Sequence, residues 1–297
     1  MMRFLALPFF MFWLTVWGQN RISKVKLPQE LNEISGLEKL NDSVLIAIND
    51  SGNEPAIFFL DLKGRILKTT VVKNAPNRDW EDLTMDDKRN LYIADVGNNS
   101  GTNTAFSILK LAADEAFGSD SVVCEILLFT YPFGPTDRTP DCEALFWRND
   151  TLHLLTKGTI KQHKKRLNQP SGPDLTYSSS EFLLSDSSSQ QVAIEASNTI
   201  IPESFKSRKR GVKDLVTAAD LKDTVLVVLT YSKLYTLGWT EKKQWSERKL
   251  DSARRTVRFR RLTQKEAVVV FNEKKIIVAA ERHPFLGGPF LYTIHPK

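Results

Sequence analysis

The 297-residue chain is 41% hydrophobic and 26% charged, ordinary for a folded globular protein and too apolar for a disordered one. Its formal net charge of +6 gathers in runs at 161–166, 206–213 and 254–261, which read as solvated loops or outer strands without the aromatic interleaving of a nucleic-acid surface. Two cysteines, Cys124 and Cys142, cannot make a four-thiolate metal site, and the four histidines lack close ligand spacing, so zinc is not expected.

In chain order, residues 1–18 carry Arg3, an apolar run at 4–17 and the small Gly18, the pattern of a secretory signal peptide. That leaves 19–297 as one exported domain, periplasmic or extracellular. The apolar run is short of the ~20 residues of a membrane span, and no later stretch approaches that length. Export permits a disulfide, but Cys142 beside Glu143 in a predicted inner strand reads as a small buried hydrophobe.

Residues 21–31 begin with a strand-like stretch that has no neighbouring partner, so it is expected to join the last strands of the chain. Glu33-Ile34-Ser35-Gly36-Leu37 opens the first unit. Asn41-Asp42 turns it, 43–48 return, and Asn49-Asp50 end the hairpin before further strands at 56–60 and 66–72. The second unit is the most complete: Glu81-Asp82-Leu83 leads in, 86–90 turn, and Leu91-Tyr92-Ile93-Ala94-Asp95 return, with outer strands at 106–111 and 122–130. Because a hairpin folds back on itself, Glu81 and Asp95 are expected to lie close together.

The third unit starts at Asp141-Cys142-Glu143, turns at Asn149-Asp150 and returns to Thr156-Lys157. Its outer part, basic and then serine-rich, reads as long loops. The fourth unit has Thr217 where the others lead with glutamate, turns at Lys222-Asp223 and returns to Thr230-Tyr231. The fifth leads with Glu266, returns to Glu281, and is followed by a strand at 291–294. Repeated four-stranded antiparallel units predict an all-β fold, a β-propeller with five blades. Six remains open, because the long interval between Glu143 and Thr217 has room for a degenerate unit.

The stretches 33–37, 49–52, 79–83, 91–99, 141–145 and 156–157 together resemble the SdiA-regulated propellers of bacteria, which are distantly similar to NHL-repeat and phytase-like propellers. The resemblance implies an exported propeller with a calcium-binding site and no established reaction. It supplies no catalytic residues. Cys142 ahead of the third glutamate and the missing acid of the fourth unit depart from a regular ring of ligands.

In a propeller the innermost strand of each unit begins at one mouth of the channel, and the second strand returns there. Glu33, Glu81, Glu143 and Glu266, with Asp50 and Asp95, are therefore the expected metal ligands. Asn49, Asp82, Asn98, Lys157, Glu281 and His283 are expected beside them as binding residues. Clustered carboxylates raise one another's pKa, and a hard cation taking about six to eight oxygens compensates them, Ca²⁺ better than Mg²⁺. The plainer alternative is that these acids only cap strands and turns. Two functions fit: a calcium-stabilised, monomeric module that binds an extracytoplasmic ligand, glycan or protein, or a metal-dependent hydrolase of phosphate esters or lactones. No Gly-x-Ser-x-Gly elbow is present, and His283 is the one histidine placed to serve as a base at the mouth.

Overall fold

Polar turn residues fold the strands into hairpins. Asn41 Oδ1 accepts the amides of Ser43 and Val44 at 2.9 and 3.0 Å, and Asp86 Oδ1 accepts those of Lys88 and Asn90 at 2.9 and 2.8 Å. Asn149 and Asp150 both take positive φ, 48° and 55°, the combination a tight two-residue hairpin requires. These turns belong to a computed structural model that describes residues 21–130, 141–157, 181–185, 195–197, 215–238, 255–259 and 264–296. The expected signal peptide, and the basic runs at 161–166 and 206–213, lie outside the described residues.

The chain opens with β1 (Arg21–Lys26), then β2 (Ile34–Lys39), β3 (Val44–Asn49), β4 (Ala56–Asp61) and β5 (Ile66–Val72). Next come β6 (Trp80–Met85), β7 (Asn90–Asp95), β8 (Phe106–Ala112), a short helix α1 (Ala113–Gly118), β9 (Ser121–Val122) and β10 (Glu125–Phe129). The third group is β11 (Cys142–Arg148), β12 (Thr151–Thr156), β13 (Glu181–Ser185) and β14 (Glu195–Ser197). The fourth is β15 (Val216–Lys222), β16 (Val225–Thr230), β17 (Lys233–Gly238) and β18 (Arg255–Arg258). β19 (Lys265–Asn272), β20 (Lys275–Ala280) and β21 (Phe290–His295) end the chain. Among the described residues no helix is long and apolar enough to cross a membrane.

Among the described residues the strands form four four-stranded sheets and one five-stranded sheet in a propeller arrangement. Inner strands β2, β6, β11, β15 and β19 touch in that order, and β19 returns to β2. An apolar cluster fills the gap between each neighbouring pair of sheets. Ile46, Ile48 and Phe59 of the first sheet meet Trp80, Leu83 and Ile93 of the second, for example, while Leu37 and Leu45 meet Val269 and Ile277 of the last. Each such fully buried side chain contributes roughly 1.5–3 kcal/mol, so packing between sheets holds the ring. β1 pairs antiparallel with β21, register Arg21 to His295, so the N-terminal strand completes the sheet made by the last three, as its lack of a local partner implied.

Two outer regions differ from the sequence reading. The stretch expected as one strand at 122–130 is split: β9 runs parallel to β5 of the first sheet, and β10 pairs with β8 of the second. Asn74 pins the crossover by donating to Cys124 O at 2.8 Å and accepting Cys124 N at 2.9 Å. In the third unit, β13 pairs with β12 and carries β14, where loops were expected; Phe182-Leu183-Leu184 supply the strand inside the serine-rich run. Cys124 and Cys142 are both buried and not joined in a disulfide.

Side chains also stitch neighbouring inner strands together. Ser35 Oγ donates to Trp80 O at 2.7 Å, Thr217 Oγ1 to Lys265 O at 2.6 Å, and Asp220 Oδ2 accepts Val270 N at 2.6 Å. Glu38 Oε2 accepts Met85 N at 3.1 Å. Burial and the nearby Asp220 charge push Glu38 up to about 8, and burial pushes Asp220 up to about 6. An unfolded chain sheds these protons near pH ~4, whereas the folded protein keeps them. The unfolded state then binds fewer protons between about pH 4 and 8, so stability falls as pH rises through that window. Thermal unfolding with chelator should therefore give a lower midpoint at pH 8 than at pH 5, and Glu38→Gln should flatten the slope. An unchanged slope in Glu38→Gln would remove Glu38 from this account.

Candidate metal centre

Each inner strand carries a β-bulge at its second residue. Pairing slips between Ile34 and Gly36, Trp80 and Asp82, Cys142 and Ala144, Val216 and Ala218, and Lys265 and Ala267. The bulged residues are Ser35, Glu81, Glu143, Thr217 and Glu266. A bulge breaks the ladder locally and re-aims one side chain, here at the same level of every sheet. Ser35 and Thr217 spend their hydroxyls on the carbonyls of Trp80 and Lys265, immediately ahead of the next bulged glutamates. The hydroxyl positions thus brace the strands that present Glu81 and Glu266.

A second level lies two residues earlier. Amides at the ends of the return strands close it: Asp50 N donates to Glu33 O, Val96 N to Asp79 O, Lys157 N to Asp141 O and Glu281 N to Gln264 O, at 2.8 to 3.1 Å. Glu33 therefore stands level with Asp79 and Asp141, and Ser35 is the counterpart of Glu81. The repeated acid-x-glutamate of Asp79-Trp80-Glu81 and Asp141-Cys142-Glu143 signalled both levels, but the sequence reading counted only the glutamates.

These levels bring carboxylates together in two overlapping triads, Asp50–Asp79–Glu81 and Glu81–Asp141–Glu143. Within each triad one oxygen per residue lies within 4.8 Å of the others. Glu81, shared by both, is 5% exposed, and its Oε1 is buried without a hydrogen-bond partner. Leaving a buried polar oxygen unpaired is costly, so the arrangement calls for a donor or a cation. Gly97 makes the approach possible: a Cβ there would sit 2.2 Å from Glu81 Oε1 and 2.3 Å from Asp79 Oδ2. An all-oxygen, carboxylate-rich donor set suits a hard divalent cation.

Burial, reinforced by the Glu143 and Asp50 charges, pushes Glu81 well above the usual carboxylate range. Burial and Asp50 push Asp79 up to about 6, and burial with Asp50 and Glu33 pushes Glu281 up to about 8. Glu266 is likewise driven well up by burial and by Glu281 and Glu143. Lys157 is the internal counter-charge, its Nζ 2.6 Å from Glu143 Oε1 with both side chains largely buried. Burial opposes the Lys157 charge, but the adjacent Glu143 outweighs it and holds the ammonium protonated.

Of the residues singled out from sequence, Asp50, Glu81 and Glu143 enter the triads and Lys157 joins them. Glu33 accepts Asn53 Nδ2 at 2.6 Å at the rim. Glu266 and Glu281 lie at the same mouth, outside the triads. Asp95 pairs across from Trp80, but its carboxylate is taken by Arg78 Nε at 2.7 Å and Asp79 N at 2.9 Å. Asn49 donates to Glu30 O at 2.6 Å, and Asn98 N donates to Asp141 Oδ1 at 2.7 Å. Asp82 points away from the cluster and accepts Leu83 N and Leu145 N, each at 2.9 Å. His283 Nδ1 accepts the amides of Phe285 and Leu286, which commits it to a local turn. Asp79, Asp141 and Gly97 are the site residues the sequence reading missed.

No protein-family model and no curated protein matches the sequence. Solved structures do match. The glutaminyl cyclase of Myxococcus xanthus aligns over 93% of this chain and 95% of its own, at 10% identity and a TM-score of 0.52. A glucose-dehydrogenase-like oxidoreductase of Thermus thermophilus aligns over 93% of this chain and 100% of its own, at 11% identity and a TM-score of 0.50. At such identities the likeness concerns the fold, and the structural neighbours are β-propeller proteins. The chain is thus an all-β propeller with an acidic mouth.

Proposed function

We propose that the chain is a five-bladed, calcium-stabilised propeller of the SdiA-regulated kind, exported and acting as a monomeric binding module for a ligand, glycan or protein outside the cytoplasm. The observation that carries the metal reading is Glu81: its buried, unpartnered Oε1 lies where two carboxylate triads overlap. The circuit of five inner strands supports the blade count. The signal-peptide pattern of residues 1–18 supports export. In this reading Asp50, Asp79 and Glu81 hold the cation, which neutralises the mouth and fixes the inner strands.

Calorimetric titration tests it. Glu81→Gln keeps the shape and one oxygen but loses the charge, so calcium affinity should fall by roughly tenfold or more, about 1.4 kcal/mol per decade. Asp150→Asn, in a hairpin turn at the opposite end of its strands, should bind like the parent. A parent protein that binds no calcium, or a Glu81→Gln variant that matches it, defeats the metal reading.

The hydrolase alternative draws on one observation: Asp50 and Asp79 are only half-buried, so a cation between them has a solvent-facing side where water could bind. The neighbours' cyclase and dehydrogenase activities do not select a reaction for this chain. Turnover of a phosphate-ester or lactone panel that chelator abolishes would favour this alternative over the binding module.

A further inference from the structure

Both triads offer three carboxylates and share Glu81, yet their surroundings differ. In the Asp50–Asp79–Glu81 set, Asp50 Oδ1 accepts Ser51 N and Asp79 takes a hydrogen bond from the Ser51 side chain, but none of the three forms an ion pair among the described residues, and Glu81 Oε1 is free of any hydrogen bond. In the Glu81–Asp141–Glu143 set, Glu143 Oε1 already has the Lys157 ammonium at 2.6 Å. Asp141 Oδ1 already accepts Asn98 N at 2.7 Å, and the Asp141 carbonyl accepts Lys157 N at 2.8 Å, which ties the lysine backbone to this triad. The Lys157 Nζ also lies 5.9 Å from the centre of the Tyr231 ring.

We infer that the mouth takes one exchangeable divalent cation rather than two, because the Lys157 ammonium occupies the second triad as a built-in cation. This rests on the metal reading above and goes further in assigning each triad its occupant. A carboxylate oxygen 2.6 Å from an ammonium has its cation already. A metal entering there must sit within a few ångströms of that positive charge, and low-dielectric surroundings sharpen the repulsion. Lys157 thereby confines metal exchange to the half-exposed Asp50–Asp79 side of Glu81. Without its charge, the site becomes a pair of cation positions bridged by one glutamate, the arrangement of two-metal centres whose ions lie about 3.5–4 Å apart.

The experiment is a Ca²⁺ stoichiometry, by calorimetry and native mass spectrometry, on the parent protein and on Lys157→Met, which keeps an apolar stem of similar length. One Ca²⁺ per parent chain and two per Lys157→Met chain is the expected result. Two in the parent, or one in Lys157→Met, overturns the inference while leaving the metal reading standing. No binding by the parent overturns the metal reading, and this inference with it. Should Lys157→Met fail to fold, the parent background decides. Glu143→Gln should change the single-site affinity by less than about threefold, whereas Asp79→Asn should weaken it by roughly tenfold or more. Equal losses in the two variants count against the division of the triads.

Discussion

Gly97→Ala is expected to weaken calcium binding by roughly a hundredfold, about 2.7 kcal/mol. The backbone of Gly97 does not adopt the left-handed φ that excludes other residues, so alanine is acceptable to the chain. Its methyl group is not acceptable to the site, because it would lie 2.2 Å from Glu81 Oε1 and 2.3 Å from Asp79 Oδ2. The obstructing atoms, Glu81 Oε1 and both Oδ2 and Cγ of Asp79, the Cγ also at 2.3 Å, belong to side chains that must turn aside. Relieving the contact moves each oxygen by about 1 Å, a large error against Ca²⁺–oxygen distances of roughly 2.3–2.6 Å. Two of the three ligands in the open triad are displaced together. The check is the calcium-dependent rise in unfolding temperature, which follows ligand concentration over Kd. With each protein compared with itself in chelator, Gly97→Ala should lose most of the rise in calcium; a full rise would show that the two carboxylates do not hold the ion.

The inner hairpins were legible in the sequence because each combines an apolar return strand with a polar turn, and both signals are local. Leu91-Tyr92-Ile93-Ala94 behind Asp86-Asp87 is the clearest case. Register was less legible. Glutamate type alone set Glu33 beside Glu81, whereas the bulge in β2 falls at Ser35, a residue of another chemical class in the same role. The return strand was correctly brought back to the mouth, but which way Asp95 faces depends on pleat alternation and on Arg78, which lies ahead of β6. Asp79 and Asp141 were hidden in plain view, since an acid just before a strand reads as turn chemistry until the partner amides of Val96 and Lys157 are known. The crossover of β9 to the first sheet carries no local signature at all. It follows from the fit of Val122 with Val72 and from the two hydrogen bonds of the Asn74 side chain with the Cys124 backbone.

Asp82 shows how a residue beside the key acid can serve the fold instead, and Asp82→Asn is expected to lower unfolding free energy by about 3 kcal/mol. The side chain is fully buried. Its Oδ1 accepts Leu83 N at 2.9 Å, and its Oδ2 accepts Leu145 N at 2.9 Å and lies 3.4 Å from Ala219 N. Those amides belong to β6, β11 and β15, so one carboxylate braces three inner strands, including two that are not neighbours in the circuit. Burial pushes its pKa well up, and the three backbone donors oppose that shift. Asparagine has the same shape but only one acceptor. Whichever way the amide is turned, its NH₂ group faces a backbone N–H, and at least one buried donor loses its partner at a cost of roughly 1–3 kcal/mol, with the mutual repulsion added. Thr217→Val, which removes a single hydroxyl bond to Lys265 O, should cost less, about 1 kcal/mol. Denaturant titrations of both variants in chelator, with m-values compared to the parent, measure the difference directly. If Asp82→Asn unfolds at the parent's midpoint, the carboxylate is not the brace its hydrogen bonds describe, and packing alone keeps β6, β11 and β15 in register.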